Sequence, residues 1–138
     1  MKIGHRAVVA TGDGNRRVDT IYKWLAEGKL FRVKTYNEET GQFELTQIKS
    51  ITNEYLPTRV IKAFSHKHTC CTDDTMLLVK DKGWKRADEI EVGDWVMNNN
   101  GRYLSVLSIL NDQKVRPVFD IKVHQGTNLV LTSGVVKC

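Results

Sequence analysis

The sequence predicts a mostly β protein. Short runs in which apolar and polar residues alternate recur along the chain, and clusters of Gly, Asn and Asp that are typical of turns separate them. Only one segment has the periodicity of a helix. The length of 138 residues and the hydrophobic content of 41% suit one compact domain. We therefore expect a single domain over residues 1–138, folded as a closed or folded-over sheet.

The one predicted helix covers residues 17–28. Its apolar side chains recur at spacings of three and four residues, which places four of them on one face: Val18, Ile21, Tyr22 and Leu25. Gly28 stands where such a helix would end.

The alternating runs predict nine short strands, at residues 7–10, 30–36, 42–48, 58–64, 76–79, 93–97, 103–110, 118–123 and 128–131, the last of which leads to 135–136. Turns are predicted at 12–15, 37–41, 81–83 and 98–101, and a single helical turn at 86–90. Each of the two prolines, Pro57 and Pro117, stands where a strand is expected to begin.

The net charge of +5 arises from 21 Lys and Arg against 16 Asp and Glu. The basic residues are scattered and form no dense basic helix with interleaved aromatic residues, so we interpret the charge mainly as solvated surface. A basic binding module that contacts nucleic acid through its phosphates is the alternative interpretation.

The three cysteines are Cys70, Cys71 and Cys138. In a strand, His66, His68 and Cys70 would share one face, as metal ligands or a reactive thiol would require. A strand whose side chains pack or face water explains the same residues, and no fourth ligand is evident. We therefore expect neither a bound metal nor a cofactor.

No apolar run approaches the roughly 20 residues that span a bilayer. The first residues also lack the apolar stretch of a secretory signal peptide. The expectation is a cytoplasmic protein without a membrane partner.

Several segments occur in a recognisable order. Residues 83–94 read Gly-Trp-Lys-Arg-Ala-Asp-Glu-Ile-Glu-Val-Gly-Asp, residues 71–75 read Cys-Thr-Asp-Asp-Thr, and residues 117–123 read Pro-Val-Phe-Asp-Ile-Lys-Val. Three further segments belong to this order: Gly4 with Asp13-Gly14, the turn at 36–41 and the final residues 133–138. In this order and spacing they resemble the splicing domain of an intein, the Hint fold, without an inserted homing endonuclease.

The resemblance implies a horseshoe of short antiparallel strands that brings both chain ends together. It implies flanking extein segments of a host protein as partners, no small-molecule substrate and no cofactor, and we expect a monomer. Whether such a domain works as one chain or as split halves stays open.

Splicing in this family uses a Cys or Ser at the first residue, a Thr-x-x-His block and a late aspartate. It ends with a His-Asn pair whose Asn cyclises. Here Met1 occupies the nucleophile position, and its thioether has no proton to lose. Thr72 matches the threonine of the block, whereas Thr75 replaces its histidine.

At the other end, Asp120 matches the late aspartate, and Lys137 and Cys138 occupy the positions of the penultimate His and terminal Asn. With a gap, Cys138 is instead the downstream nucleophile. Taken alone, Thr72 and Asp120 also suit purely structural roles. We expect an intein-like self-splicing domain that is degenerate or blocked by substitution at both junctions, whether the substitutions are natural or engineered.

Overall fold

The computed structural model describes residues 1–64 and 67–138. This part of the chain contains one α-helix, α1 (Val18–Ala26), a 3₁₀ helix (Ala87–Glu89) and twelve strands. The strands are β1 (Ile3–Gly4), β2 (Val8–Thr11), β3 (Gly14–Arg17), β4 (Arg32–Asn37), β5 (Gln42–Ala63), β6 (Lys67–Cys71), β7 (Met76–Val79), β8 (Gly83–Arg86), β9 (Trp95–Met97), β10 (Tyr103–Val123), β11 (Asn128–Val130) and β12 (Val135–Lys137).

The twelve strands join in one hydrogen-bonded network in which neighbouring strands are antiparallel. The order is β11-β12-β7-β9-β10-β1-β6-β5-β4-β2-β3, with β8 paired to β7 and a further pairing between β10 and β5. The predicted mostly β fold class is therefore confirmed. The order also shows that β1, the first strand of the chain, lies in the middle of the network.

Two long strands are the main departure from the sequence prediction. The predicted strands 42–48 and 58–64 are parts of β5, and 103–110 and 118–123 are parts of β10. β5 and β10 pair with each other from Val123 opposite Ile48 to Val106 opposite Ala63. The intervening residues are largely exposed and polar, so they lack the alternation that marks a half-buried strand.

The prediction that Pro57 and Pro117 begin strands was wrong. Pro57 lies within β5 opposite Val115, and Pro117 lies within β10 opposite Tyr55. Both are close to the register shift between Leu110 and Lys114 in β10, where the ladder is already irregular. Proline, which has no N–H to donate, is tolerated inside a strand at such places.

Two short hairpins also differ from the prediction. The predicted turn at 12–15 is shorter, because β3 already begins at Gly14 with φ of +96°. After the turn at 81–83, β8 folds back on β7, with Met76 opposite Arg86. The sequence prediction missed both β3 and β8, since neither segment alternates in polarity.

Helix α1 forms as predicted, with slightly shorter bounds. Val18 and Ile21 are fully buried and Leu25 packs against the core. Tyr22 is 38% exposed, and its ring centroid lies 5.2 Å from that of Phe119 in β10. The helix ends just before Gly28, whose φ of +83° is the left-handed conformation that glycine adopts readily after a helix.

The hydrophobic core unites the two ends of the chain. Ile3 near the first residue and Val136 near the last are both fully buried in the same cluster. The same cluster includes residues from along the whole sequence, such as Leu77 of β7 and Ile121 of β10. No helix in the described part of the chain is long and apolar enough to cross a membrane.

A buried carboxylate fastens the turn that precedes β9. Asp94 accepts hydrogen bonds from Lys82 Nζ (2.6 Å), Lys85 Nζ (2.9 Å) and the Glu91 backbone N–H (2.9 Å). Desolvation by burial raises the pKa of Asp94, but these donors outweigh it and lower that pKa from 3.8 to about 2. The ionised form of Asp94 therefore stabilises the fold.

We expect Asp94→Asn to lower the free energy of unfolding by about 2 kcal/mol at pH 7, because the donors lose a charged acceptor. Denaturant unfolding monitored by fluorescence measures the loss. The matched control is Asp88→Asn, which breaks a partly exposed ion pair with Arg86 and should change stability much less. Equal losses in both variants would contradict the role of Asp94.

The lowered pKa of Asp94 predicts that the free energy of unfolding depends on pH. Because the pKa of Asp94 is lower in the folded chain than in the unfolded one, its contribution is complete above about pH 5. The contribution disappears as the pH falls through 3.8 towards about 2. The stability difference between the parent and Asp94→Asn should therefore shrink across that range in acid unfolding curves.

Candidate functional site

The position of β1 determines where the first residues lie. Ile3 pairs with Phe119 of β10 on one side and with Cys71 of β6 on the other, both antiparallel. Extending each register by one residue places Lys2 between Asp120 and Thr72. The predicted site residues of the two internal blocks thus flank the start of the chain.

Thr72 and Thr75 hold the backbone of Lys2. The Lys2 N–H donates to Thr75 Oγ1 (3.1 Å), and Lys2 O accepts from the Thr72 N–H (3.0 Å) and from Thr75 Oγ1 (3.2 Å). The two threonine hydroxyl oxygens are 3.0 Å apart. Thr75 is fully buried and Thr72 nearly so, which shields these hydrogen bonds from water.

Asp74 completes this hydroxyl network. Thr72 Oγ1 donates to Asp74 Oδ1 at 2.6 Å, and this hydrogen bond keeps the pKa of Asp74 below its ordinary value. The Thr72 hydroxyl is thereby oriented by a carboxylate, and it remains close to the Thr75 hydroxyl. The sequence analysis had missed Asp74, although it lies inside the Thr-x-x-His-like block.

Asp120 faces the first residue from β10. Its Oδ1 lies 3.9 Å from the Met1 backbone nitrogen and 3.4 Å from Lys122 Nζ. That oxygen is buried and accepts no hydrogen bond from the described residues. A buried acceptor without a hydrogen bond is uncommon, and here it adjoins Met1, for which the sequence analysis predicted the nucleophile position.

Cys138 lies within electrostatic reach of the same groups. Its backbone N–H donates to Thr127 O at 2.8 Å. Burial raises the pKa of the Cys138 thiol to about 11, while Lys122 and the Met1 ammonium lower it and Asp120 raises it. A thiol with this pKa is protonated at neutral pH and is a weak nucleophile.

Lys137 lies elsewhere. It is exposed, and its Nζ sits over the ring of Trp84, 5.7 Å from the centroid. The structure therefore brings Met1, Thr72, Thr75 and Asp120 together with Cys138, whereas the ammonium of Lys137 is held against β8.

Solved structures of intein domains match this chain over nearly its whole length. The DnaB intein from Synechocystis sp. PCC 6803 has a TM-score of 0.81 at 23% identity, covering 99% of this chain and 97% of that one. The DnaX mini intein from Spirulina platensis has a TM-score of 0.80 at 25% identity, covering all of both chains. The chain has the fold of a mini-intein. The bacterial intein-like domain from Clostridium thermocellum is also similar, with a TM-score of 0.83 at 20% identity and coverage of 100% and 99%.

No protein-family model and no curated protein sequence matches the chain. The likeness is therefore one of three-dimensional structure, and the predicted Hint-type fold without an endonuclease is confirmed at that level. The splicing roles remain predictions for all six site residues: Met1, Thr72, Thr75, Asp120, Lys137 and Cys138.

The cysteine and histidine cluster of the sequence analysis is only partly described. His68 and Cys70 lie in β6, while His66 lies outside the described residues. Cys71 is fully buried, and burial strongly raises the pKa of its thiol. Within residues 1–64 and 67–138, no three His, Cys, Asp or Glu side chains are grouped closely enough to hold a metal ion.

Sequence reasoning also missed Lys122. It lies two residues after Asp120 in β10, and its Nζ is 3.4 Å from Asp120 Oδ1. Alternate residues of a strand share a face, so the spacing was a usable signal. Lys122 supplies positive charge beside both Asp120 and the Cys138 thiol.

We expect Thr75→Val to destabilise the protein by about 1–3 kcal/mol, because the Lys2 N–H loses its acceptor in a buried place. Amide hydrogen exchange measured by NMR should accelerate at Lys2 and Thr72 more than at core amides such as that of Val130. Thr69→Val is the matched control. It removes a buried hydroxyl 2.6 Å from Ser133 Oγ and should leave the relative exchange of Lys2 unchanged.

The environment of Cys138 predicts slow alkylation. At pH 8 a thiol with a pKa of about 11 carries about one hundredth of the thiolate of a thiol at 9.0, and burial slows access further. Mass spectrometry after iodoacetamide treatment should show labelling at least about a hundredfold slower than in the urea-unfolded chain. Labelling at equal rates in the folded and unfolded chains would contradict the placement of this thiol.

Proposed function

We propose that this chain is an intein-type protein-splicing domain, flanked in its precursor by extein segments of a host protein. The observation that carries the proposal is the convergence of the chain ends. Met1 and Cys138 pack against the same hydrophobic core, and the Met1 nitrogen lies 3.9 Å from Asp120 Oδ1. A self-excising domain needs this arrangement, because both junctions must meet for an acyl group to pass between them.

We further propose that the residues present do not support the splicing reaction of the family. The first step requires a hydroxyl or thiol at position 1, which attacks the preceding carbonyl and forms an ester or thioester. Met1 has neither group. Excision at the second junction requires a side-chain amide nitrogen, which Cys138 lacks. The protonated thiol of Cys138 does not compensate, since thiolate is the reactive form.

The place of the catalytic acid is also changed. Thr75 stands where the family has histidine, and its hydroxyl hydrogen-bonds the Lys2 backbone next to the junction. A hydroxyl positions that backbone but does not protonate a departing amide at neutral pH as an imidazolium does. In the proposed scheme Thr75 is a positioning residue. Asp120 Oδ1 would accept a hydrogen bond from a hydroxyl or thiol at position 1, which Met1 does not offer.

We also propose that the protein is a monomer in the cytoplasm. The support is chemical: the three cysteines are free thiols, which suits a reducing compartment. The two flanking segments of the precursor would be the only partners that the reaction itself requires.

The test places the domain between two reporter proteins and restores the family residues by Met1→Cys, Thr75→His, Lys137→His and Cys138→Asn, with Cys as the first residue after the domain. We expect the parent to give neither cleavage nor ligation on a gel. The restored variant should give N-terminal cleavage with thiol and some ligated product, because the scaffold already aligns both ends.

The matched control carries the same substitutions except Met1→Cys, and it should form no N-terminal thioester. A restored variant that is folded by circular dichroism but forms no product would contradict the proposal. Ligation by the unmodified parent would support the class and overturn the proposed block.

A further inference from the structure

A cleft of about 770 Å³ lies beside the residues that follow β1. Four cationic side chains from separate parts of the sequence line it: Arg6, Lys67, Lys114 and Arg116. His5 and His68 add imidazole groups, and none of the described lining residues is Asp or Glu. The fold thus collects basic residues that look scattered in the sequence.

Most of this positive charge is not neutralised locally. Arg116 is paired with Asp112 (3.0 Å) and donates to Thr58 Oγ1 (2.6 Å). For the other three cations, no carboxylate of the described residues comes within the 4.0 Å of a salt bridge. Like charges gathered around a concave surface raise the local concentration of anions.

The other walls of the cleft combine polar donors with apolar surface. Thr132 contributes a hydroxyl group, and Val8, Val60 and Pro117 contribute apolar area. The hydroxyl of Ser133 also lies in the wall, where it is hydrogen-bonded to Thr69 Oγ1 (2.6 Å). Cys70 lies in the wall next to Gly4, where a Cβ would approach its Sγ to 2.9 Å. No Phe, Tyr or Trp is among the described lining residues, so bases of a single-stranded nucleic acid would find only the two small imidazole rings to stack on.

We propose that this cleft binds a small molecule carrying several phosphate groups, such as a nucleoside triphosphate or inorganic tripolyphosphate. The cations neutralise the phosphates, the hydroxyls donate to their oxygens, and the volume lies in the range of about 300–1,000 Å³ that is typical of small-ligand pockets. The absence of Phe, Tyr and Trp from the described lining favours this ligand over a nucleic-acid strand, which would need a stacking surface for several bases. The proposal goes beyond protein splicing and does not depend on it.

The binding experiment uses the full chain and isothermal titration calorimetry at low and at physiological salt. The probes are tripolyphosphate, ATP, inorganic phosphate and a single-stranded deoxythymidine oligonucleotide. We expect tripolyphosphate and ATP to bind at one site per chain, more tightly than phosphate and with an affinity that falls as salt is added. No binding of either polyphosphate at low salt, or binding of the oligonucleotide alone, would overturn the proposal.

Two double variants with the same change in net charge distinguish binding in the cleft from attraction by the overall positive charge of the protein. Arg6→Glu/Lys114→Glu reverses two exposed cations of the cleft, and Lys23→Glu/Arg102→Glu reverses two exposed cations outside it. We expect the first variant to weaken tripolyphosphate binding about tenfold or more and the second to weaken it about twofold or less. Equal weakening in both would overturn the assignment to this cleft.

Cys70 provides a local readout. Its thiol is half-buried in the cleft wall, whereas Cys71 is fully buried. Saturating tripolyphosphate should slow iodoacetamide labelling of Cys70 several-fold without changing the labelling of Cys138, as located by tandem mass spectrometry. If the ligand binds but leaves Cys70 labelling unchanged, or slows Cys138 equally, it occupies another place and the assignment is overturned.

Discussion

The pairing of β1 on both of its edges is the constraint on which the rest of the structure depends. Ile3 is fully buried and is opposite Phe119 of β10 and Cys71 of β6. A strand of two residues has little stability of its own, so burial of Ile3 and the hydrogen bonds to Lys2 keep it in register. A slip of one residue would exchange its faces and move Lys2 away from Thr72 and Asp120.

The hydroxyl network around Lys2 holds the start of the chain in place by hydrogen bonds. Thr75 both donates to and accepts from the Lys2 backbone, and Thr72 links it to the Asp74 carboxylate. Every group in this network has a partner, which is the condition under which buried polar groups stabilise a fold. Asp120 Oδ1 is the exception, since it is buried beside Met1 without a hydrogen bond. The charges of Lys122 Nζ (3.4 Å) and the Met1 nitrogen (3.9 Å) lie near this oxygen, and the side chain of Met1 offers no donor.

The sequence predicted local elements better than long-range pairing. The helical face of α1 and the hairpin between β4 and β5 follow from local periodicity and turn residues, and both form. The continuous ribbon of β5 and β10 did not follow, because its exposed middle is held by backbone pairing that no side-chain pattern reveals. For the site, ordered motifs predicted Thr72 and Asp120, and the fold places both beside Lys2. The position of Lys122 two residues after Asp120 in β10 could have been read from the sequence, whereas the burial of the Cys138 thiol depends on strands distant in sequence and required the fold.

Gly4 lies between the hydrogen-bonded backbone of Lys2 and the basic cleft. A Cβ at this position would lie 2.9 Å from Cys70 Sγ, so glycine is needed for the close approach of β1 to β6. On one side of Gly4 the chain runs to Lys2 and the junction residues. On the other side it continues through His5 and Arg6 into the wall of the basic cleft. Because β1 has only two residues, a displacement of β1 at either surface must shift backbone that belongs to the other.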